Sequence, residues 1–266
     1  MPGTRLLEDA GLFQASPFLS HLVGDGTLKE TGRTGPDRED GRPSLKDFLR
    51  GFRRGLEDPE KALLSLRRLR VRTLLALAGD DLAGRSRPHQ VRARLRGLSE
   101  VLVQGAWWLA EAGLRERYVH PLLLERHNLN PPLAICSLSR LGAGDPWYTT
   151  GPAPIFVHSR AAQFAPALTE KDFAAARRTD KEWLPARDYF NRLARRVMSY
   201  LSVPDPAGRG FDHMAEDVES DRPPLLPGTL VILMSAFGEH FLGRRPVRER
   251  LSLMRLRFLV GQEKLG

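Results

Sequence analysis

The chemistry this chain suggests is concentrated in one stretch, LAICSLSRLGAGDPWYTTGPAPIFVHS, residues 133–159. An apolar run, Leu133–Cys136, leads into a small-residue turn with a cation, Ser139-Arg140-Leu141-Gly142, and a second apolar run, Ile155–Val157, follows. A two-metal phosphoryl-transfer site with this layout places two acidic residues just before the second strand. Spaced one apart, both side chains project to the same side and hold Mg2+. Here those positions are Pro152 and Pro154, and neither side chain can ligate a metal. Each proline also lacks an N–H, which weakens strand pairing at the rim of the site.

The elements that would position this stretch are helical before it and mixed after it. Residues 24–43 are glycine-, proline- and charge-rich and read as a mobile loop. Ser44 reads as the N-cap of a short helix, with Asp47 three residues on. Asp58-Pro59 opens the next helix in the favoured order, cap and then proline at the first turn. That helix carries apolar residues at 63, 66, 74 and 77, with Arg67, Arg68, Arg70 and Arg72 mostly off their face. Pro88 begins a third helix, in which Val91, Leu95, Leu98, Leu102 and Leu109 follow a helical period. Trp107 and Trp108 fall in its last turns, where one packs inward and the other covers a neighbour.

From Pro131 the pattern changes to short apolar runs at 132–137, 154–158, 211–218 and 228–234. A helix around 183–201 places Tyr189, Phe190, Leu193, Val197 and Leu201 on one face, with Arg192, Arg195 and Arg196 elsewhere on its surface. A last helix is expected near 247–260, with Leu251, Met254 and Phe258 inward. The fold class that follows is α+β.

Several segments resemble the glutamine synthetase adenylyltransferase family, in the family's order. Its nucleotidyltransferase domains read roughly GKLGGxELNxxSDxDLIFVY where this chain has Ser139-Arg140-Leu141-Gly142, Tyr148-Thr149-Thr150-Gly151 and Ile155-Phe156-Val157. The family's aspartate pair falls on Pro152 and Pro154. LFQASPFLSHLV (12–23) is similar to the family's N-terminal helical start, and EKALLSLRRLRVRTLLALAGDDLAG (60–84) to its LRRFRxRExLRIxxRDL helix. DYFNRLARRVMSYLS (188–202) resembles EYFxRLAQRLIRLLS, PGTLVILMSAFGEHF (227–241) resembles GPLVxSxxAFxxYY, and RERLSLMRLRFLVG (248–261) resembles WERxALxRARxVAGD. A third family carboxylate lies in a VDxRLRP strand, for which Asp217 in AEDVESDRPPLLPG (215–228) is the best match.

This resemblance implies a helical region followed by a nucleotidyltransferase-like mixed sheet of the polymerase-β type with flanking helices. The expected divisions are 1–43 (helical lead-in and flexible loop), 44–128 (helical region) and 129–266 (nucleotidyltransferase-like domain). It implies one such domain, without the second catalytic domain of longer family members. Ser139, Arg140 and Gly142 become the nucleotide-contact candidates, since arginine can clamp phosphate bidentately. Asp217 is the one surviving catalytic candidate, and no metal ligand set is expected.

The leading expectation is a degenerate, non-catalytic relative that binds, senses or regulates a partner and has no resident cofactor. Glutamine synthetase or a full-length adenylyltransferase-like protein is the expected partner, with a nucleotide as a further ligand. The rival is an active adenylyltransferase using ATP and Mg2+, with carboxylates such as Asp145, Asp212 or Glu216 entering the cleft. A basic nucleic-acid-binding module is the third.

Composition narrows these. A net charge of +9 is spread over both halves: residues 1–130 hold 22 basic and 17 acidic residues, and residues 131–266 hold 19 and 15. With no basic tail, nucleic acid is not the expected partner. No apolar run reaches membrane-spanning length and the start lacks a signal-peptide core, so a cytoplasmic location is expected. The single cysteine, Cys136, excludes an internal disulfide and reads as a packed strand residue. The seven histidines show no metal-ligand pairing, and His158, after the second strand, reads as packing or surface. Asp212-His213 with Glu216-Asp217 reads as an exposed polar stretch, and SRLGAG lacks the GK[ST] of a Walker loop.

Overall fold

The computed structural model describes residues 45–118, 133–137, 141–146, 148, 154–158, 181–182, 184–202, 231–233, 236–237, 239 and 255–261. Within this set the helices are α1 (Leu45–Arg54), α2 (Pro59–Leu82), α3 (Pro88–Arg117) and α4 (Ala186–Ser202). The strands are β1 (Leu133–Ser137), β2 (Pro154–His158), β3 (Val231–Leu233) and β4 (Arg257–Gly261). The class is α+β, helical first and mixed after, as the patterns require.

The helix starts follow from local chemistry. At α2, Asp58 accepts a hydrogen bond from the Lys61 backbone N–H at 3.1 Å, and Pro59 occupies the first turn, where its missing N–H leaves nothing unsatisfied. At α3, Gln90 reaches back to accept from the Arg87 backbone N–H at 2.9 Å, and Pro88 again stands in the first turn. Val91, Leu95, Leu98, Leu102 and Leu109 are all buried. The helix runs on to Arg117, so the two tryptophans sit further from its end than expected. Trp107 is inside, while Trp108 lies under the Arg53 guanidinium, 5.5 Å from the ring centroid, and so covers α1. In α4, Tyr189, Phe190, Leu193, Val197 and Leu201 are buried on the face that the period selects.

The sheet has the order β3-β2-β1-β4. β1 pairs antiparallel with both β2 and β4, and β2 pairs parallel with β3. β1 and β2 are buried along their whole length, which explains continuous apolar runs instead of alternation. The alternation survives as a choice of core. Leu133, Ile135 and Phe156 join the helices in one hydrophobic cluster, while Ile155 and Val157 pack with Ile232 and Phe237 in another. Cys136 is buried in β1, and burial pushes its thiol up to about 11.

One element differs from the sequence reading. Residues 257–260, expected at the end of a last helix, belong instead to β4 beside β1, and Phe258, opposite Cys136, is partly exposed rather than inward. A short apolar run satisfies both helical and strand periods, and a backbone partner decides between them. Here the edge of β1 supplies that partner. Leu251 and Met254 lie outside the described residues, as do Ser44, the run 211–218 and the segment 12–23. Among the described residues, no helix is long and apolar enough to cross a membrane.

Candidate functional site

The turn that leaves β1 is the centre of the candidate site, and backbone fit holds it against the sheet. Leu141 is fully buried, and Gly144 N–H donates to its carbonyl at 3.2 Å. Gly142 is pressed between two carbonyls: a Cβ there would overlap the Arg255 oxygen and lie 2.5 Å from that of Ser137. Only glycine lets the turn lie this close to the start of β4. Ser137 is also the register partner of Pro154. Two sequence-selected positions, Gly142 and Pro154, therefore meet at Ser137.

Pro154 is the first residue of β2 and is buried. Proline is tolerated there because the first residue of a strand can do without a ladder donor. Its side chain offers no oxygen to a cation. Ser139, Arg140, Pro152 and Asp217 lie outside the described residues, as do Asp212, His213 and Glu216. His158 belongs to β2 itself, opposite Leu133, and is 4% exposed, which makes it a packed residue.

Beyond the turn, Asp145, Pro146 and Tyr148 lie against the corner between α2 and α3. Asp145 forms an ion pair with Arg92 at 2.9 Å, and the Tyr148 hydroxyl donates to Asp81 at 3.0 Å. Asp80, beside Asp81, holds Arg85 at 3.0 Å and Arg94 at 3.3 Å. Between the turn and the corner is a cleft of about 420 Å3, walled by Val91, Leu95, Pro88 and Pro146, with both aspartate–partner pairs in its lining. Burial, followed by the bond to Asp81, raises the Tyr148 hydroxyl above its ordinary value. It stays protonated at neutral pH and acts as a donor.

Sequence reasoning names Asp145 only as a carboxylate that would enter the cleft and Tyr148 only as part of the turn, and it gives no role to Asp81 or Arg92. The local signals were slight: a double aspartate at the end of α2 and an aromatic in the turn. The contacts themselves join residues 67 and 53 positions apart in the chain.

A catalytic Mg2+ would need several oxygen ligands in near-octahedral array. Among the described residues, no three His, Cys, Asp or Glu side chains converge in that way. Among the described residues the side chains beside the turn do not make such a set: that of Pro154 has no oxygen, and Asp81 and Asp145 are engaged by Tyr148 and Arg92. A family model described as glutamate-ammonia ligase adenylyltransferase matches residues 16–266 of the chain.

Proposed function

Because this chain belongs to the glutamate-ammonia ligase adenylyltransferase family, we propose that it keeps a nucleotidyltransferase scaffold for binding and has lost metal-dependent transfer. The observation that carries this reading is the run leading into β2: with Ile155-Phe156-Val157 set on the family's IFV, its aspartate pair falls on Gly151 and Ala153, one residue before Pro152 and Pro154, and none of the four has a carboxylate. Moving AMP from ATP requires charge on the α-phosphate to be neutralised while an oxygen attacks and pyrophosphate leaves. Two-metal sites achieve this with carboxylate-held cations. Residues 151–154 carry no carboxylate, so this run supplies neither ligand. What such a scaffold can still do is hold a protein partner, glutamine synthetase or a full-length adenylyltransferase-like chain, or sense a nucleotide without turnover. A cytoplasmic setting fits these partners.

The basic surface supports a protein partner over nucleic acid. Among the described residues, Arg50, Arg85, Arg92, Arg94, Arg115, Arg117 and Arg257 are each paired with a carboxylate, which lowers the net positive charge around them.

The test is transfer of labelled AMP from ATP to glutamine synthetase in the presence of Mg2+ or Mn2+. The expected result is no label above the blank lacking this protein. Label that appears with the wild-type chain and disappears with Asp217→Ala would establish the active alternative instead. Calorimetric titration of ATP then separates the two binding roles. Binding indifferent to Mg2+ supports a sensor, and no heat supports a protein scaffold.

A further inference from the structure

We propose that the groove between α2 and the C-terminal turn of α4 docks an acidic amphipathic segment of a partner protein. The groove lies on the helices, so the proposal stands apart from the reading of the β1–β2 site. From Lys61 to Gly79, α2 carries Lys61, Arg67, Arg68, Arg70 and Arg72 and no acidic residue. Arg67 and Arg70 line a small cleft together with Leu63, Leu66, Leu102, Tyr200 and Leu201. The Nε of Arg67 is buried with no hydrogen-bond partner. A buried donor left without an acceptor is unfavourable, and a charge-assisted bond to a carboxylate is among the strongest ways to satisfy it.

Size and rim select the occupant. The cleft holds about 30 Å3, room for one carboxylate group and too little for a nucleobase. On the same helix Leu64 is 42% exposed, one of two large hydrophobic residues so exposed among the described residues. A segment that inserts a glutamate or aspartate beside Arg67 would lay its apolar residues on Leu63 and Leu64. Arginine suits this role because its planar guanidinium remains charged in an apolar wall. A polynucleotide presents flat bases and a line of phosphates, and a small cleft that sets leucines around two arginines matches it poorly.

The probe is a fluorescein-labelled synthetic helix bearing glutamate and leucine on one face, titrated with the full chain by anisotropy. Its counterpart with glutamine for glutamate and a single-stranded oligonucleotide serve as competitors. The glutamine peptide is expected to bind about tenfold more weakly, and Arg67→Met, which keeps the apolar stem, to weaken the glutamate peptide by about tenfold. Leu64→Ser, a surface change that leaves the fold intact, is expected to weaken it severalfold. Failure of the glutamate peptide to bind, equal binding of both peptides, or indifference to both substitutions would overturn the proposal. Displacement by the oligonucleotide with the same dependence on Arg67 would overturn it in favour of nucleic acid. Thermal denaturation of each variant checks that lost binding is not lost folding.

Discussion

The turn after β1 is held by unlike means on its two sides. Towards the sheet the contact is backbone on backbone, with Gly142 set between the carbonyls of Ser137 and Arg255. Towards the helices it consists of two polar pairs, Arg92–Asp145 and Tyr148–Asp81, at a half-exposed rim. Backbone fit leaves no room to yield, whereas exposed polar pairs exchange with water and contribute little each. The turn's position is therefore set by the sheet, and the helix corner only closes a cleft beside it.

Gly142→Ala tests the rigid side and carries the largest expected effect. The new methyl meets carbonyl oxygens of the backbone, so strands or turn must shift, at a cost of about 3 kcal/mol. Gly144→Ala is the paired control. Its Cβ meets nothing within 4 Å, but its φ of +78° is unfavourable for alanine, so about 1 kcal/mol is expected. Urea unfolding of both variants checks the ordering, and equal losses would mean that conformational strain, and not fit, governs the turn.

The next largest effect belongs to the tie between helix and sheet. Arg257 of β4 reaches Glu100 of α3 at 2.7 Å, with both side chains 35% exposed. This ion pair joins α3 to the strand that the sequence pattern alone reads as helix. Glu100→Gln keeps the shape and removes the charge, and about 1 kcal/mol of stability is expected to go with it. The same change moved to Asp145, whose side chain is 50% exposed opposite Arg92, is expected to lose less, about 0.5 kcal/mol. Tyr148→Phe, which removes one neutral donor from Asp81, belongs between the two. If Asp145→Asn proved the costlier of the charge changes, the helix corner would be positioning the turn after all.

These contacts also mark where the sequence stopped being informative. α2 and α3 were legible because cap, proline and apolar period are all local, and Asp58, Pro59 and Pro88 act within one turn of themselves. β1 and β2 were legible as short apolar runs between turn residues. β4 was not, because Arg257–Gly261 takes its strand character from β1, a partner more than a hundred residues earlier in the chain. The candidate site divides in the same way. Gly142 and Pro154 were selected from their spacing and do meet, at Ser137. Asp81 and Tyr148 were not paired in advance, since no local pattern couples the end of a helix to a distant turn.

The smallest effect at neutral pH comes from Cys136, and it separates packing from reactivity in β1. The thiol lies 2% exposed between β2 and β4, and burial alone accounts for its rise from the ordinary 9.0 to about 11. Below pH 9 both folded and unfolded chains keep the proton, so stability does not depend on this group. As pH rises from 9 towards 11 only the unfolded chain releases it, and stability falls across that window. Unfolding midpoints measured at pH 7, 8.5 and 10 should be level between the first two and lower at the third, after subtraction of the same series for Cys136→Ala. Iodoacetamide labelling of the native chain at pH 8 should be far slower than in urea. A native thiol that labels as fast as the unfolded one would mean that β1 opens readily, and the rigid side of the turn would no longer be rigid.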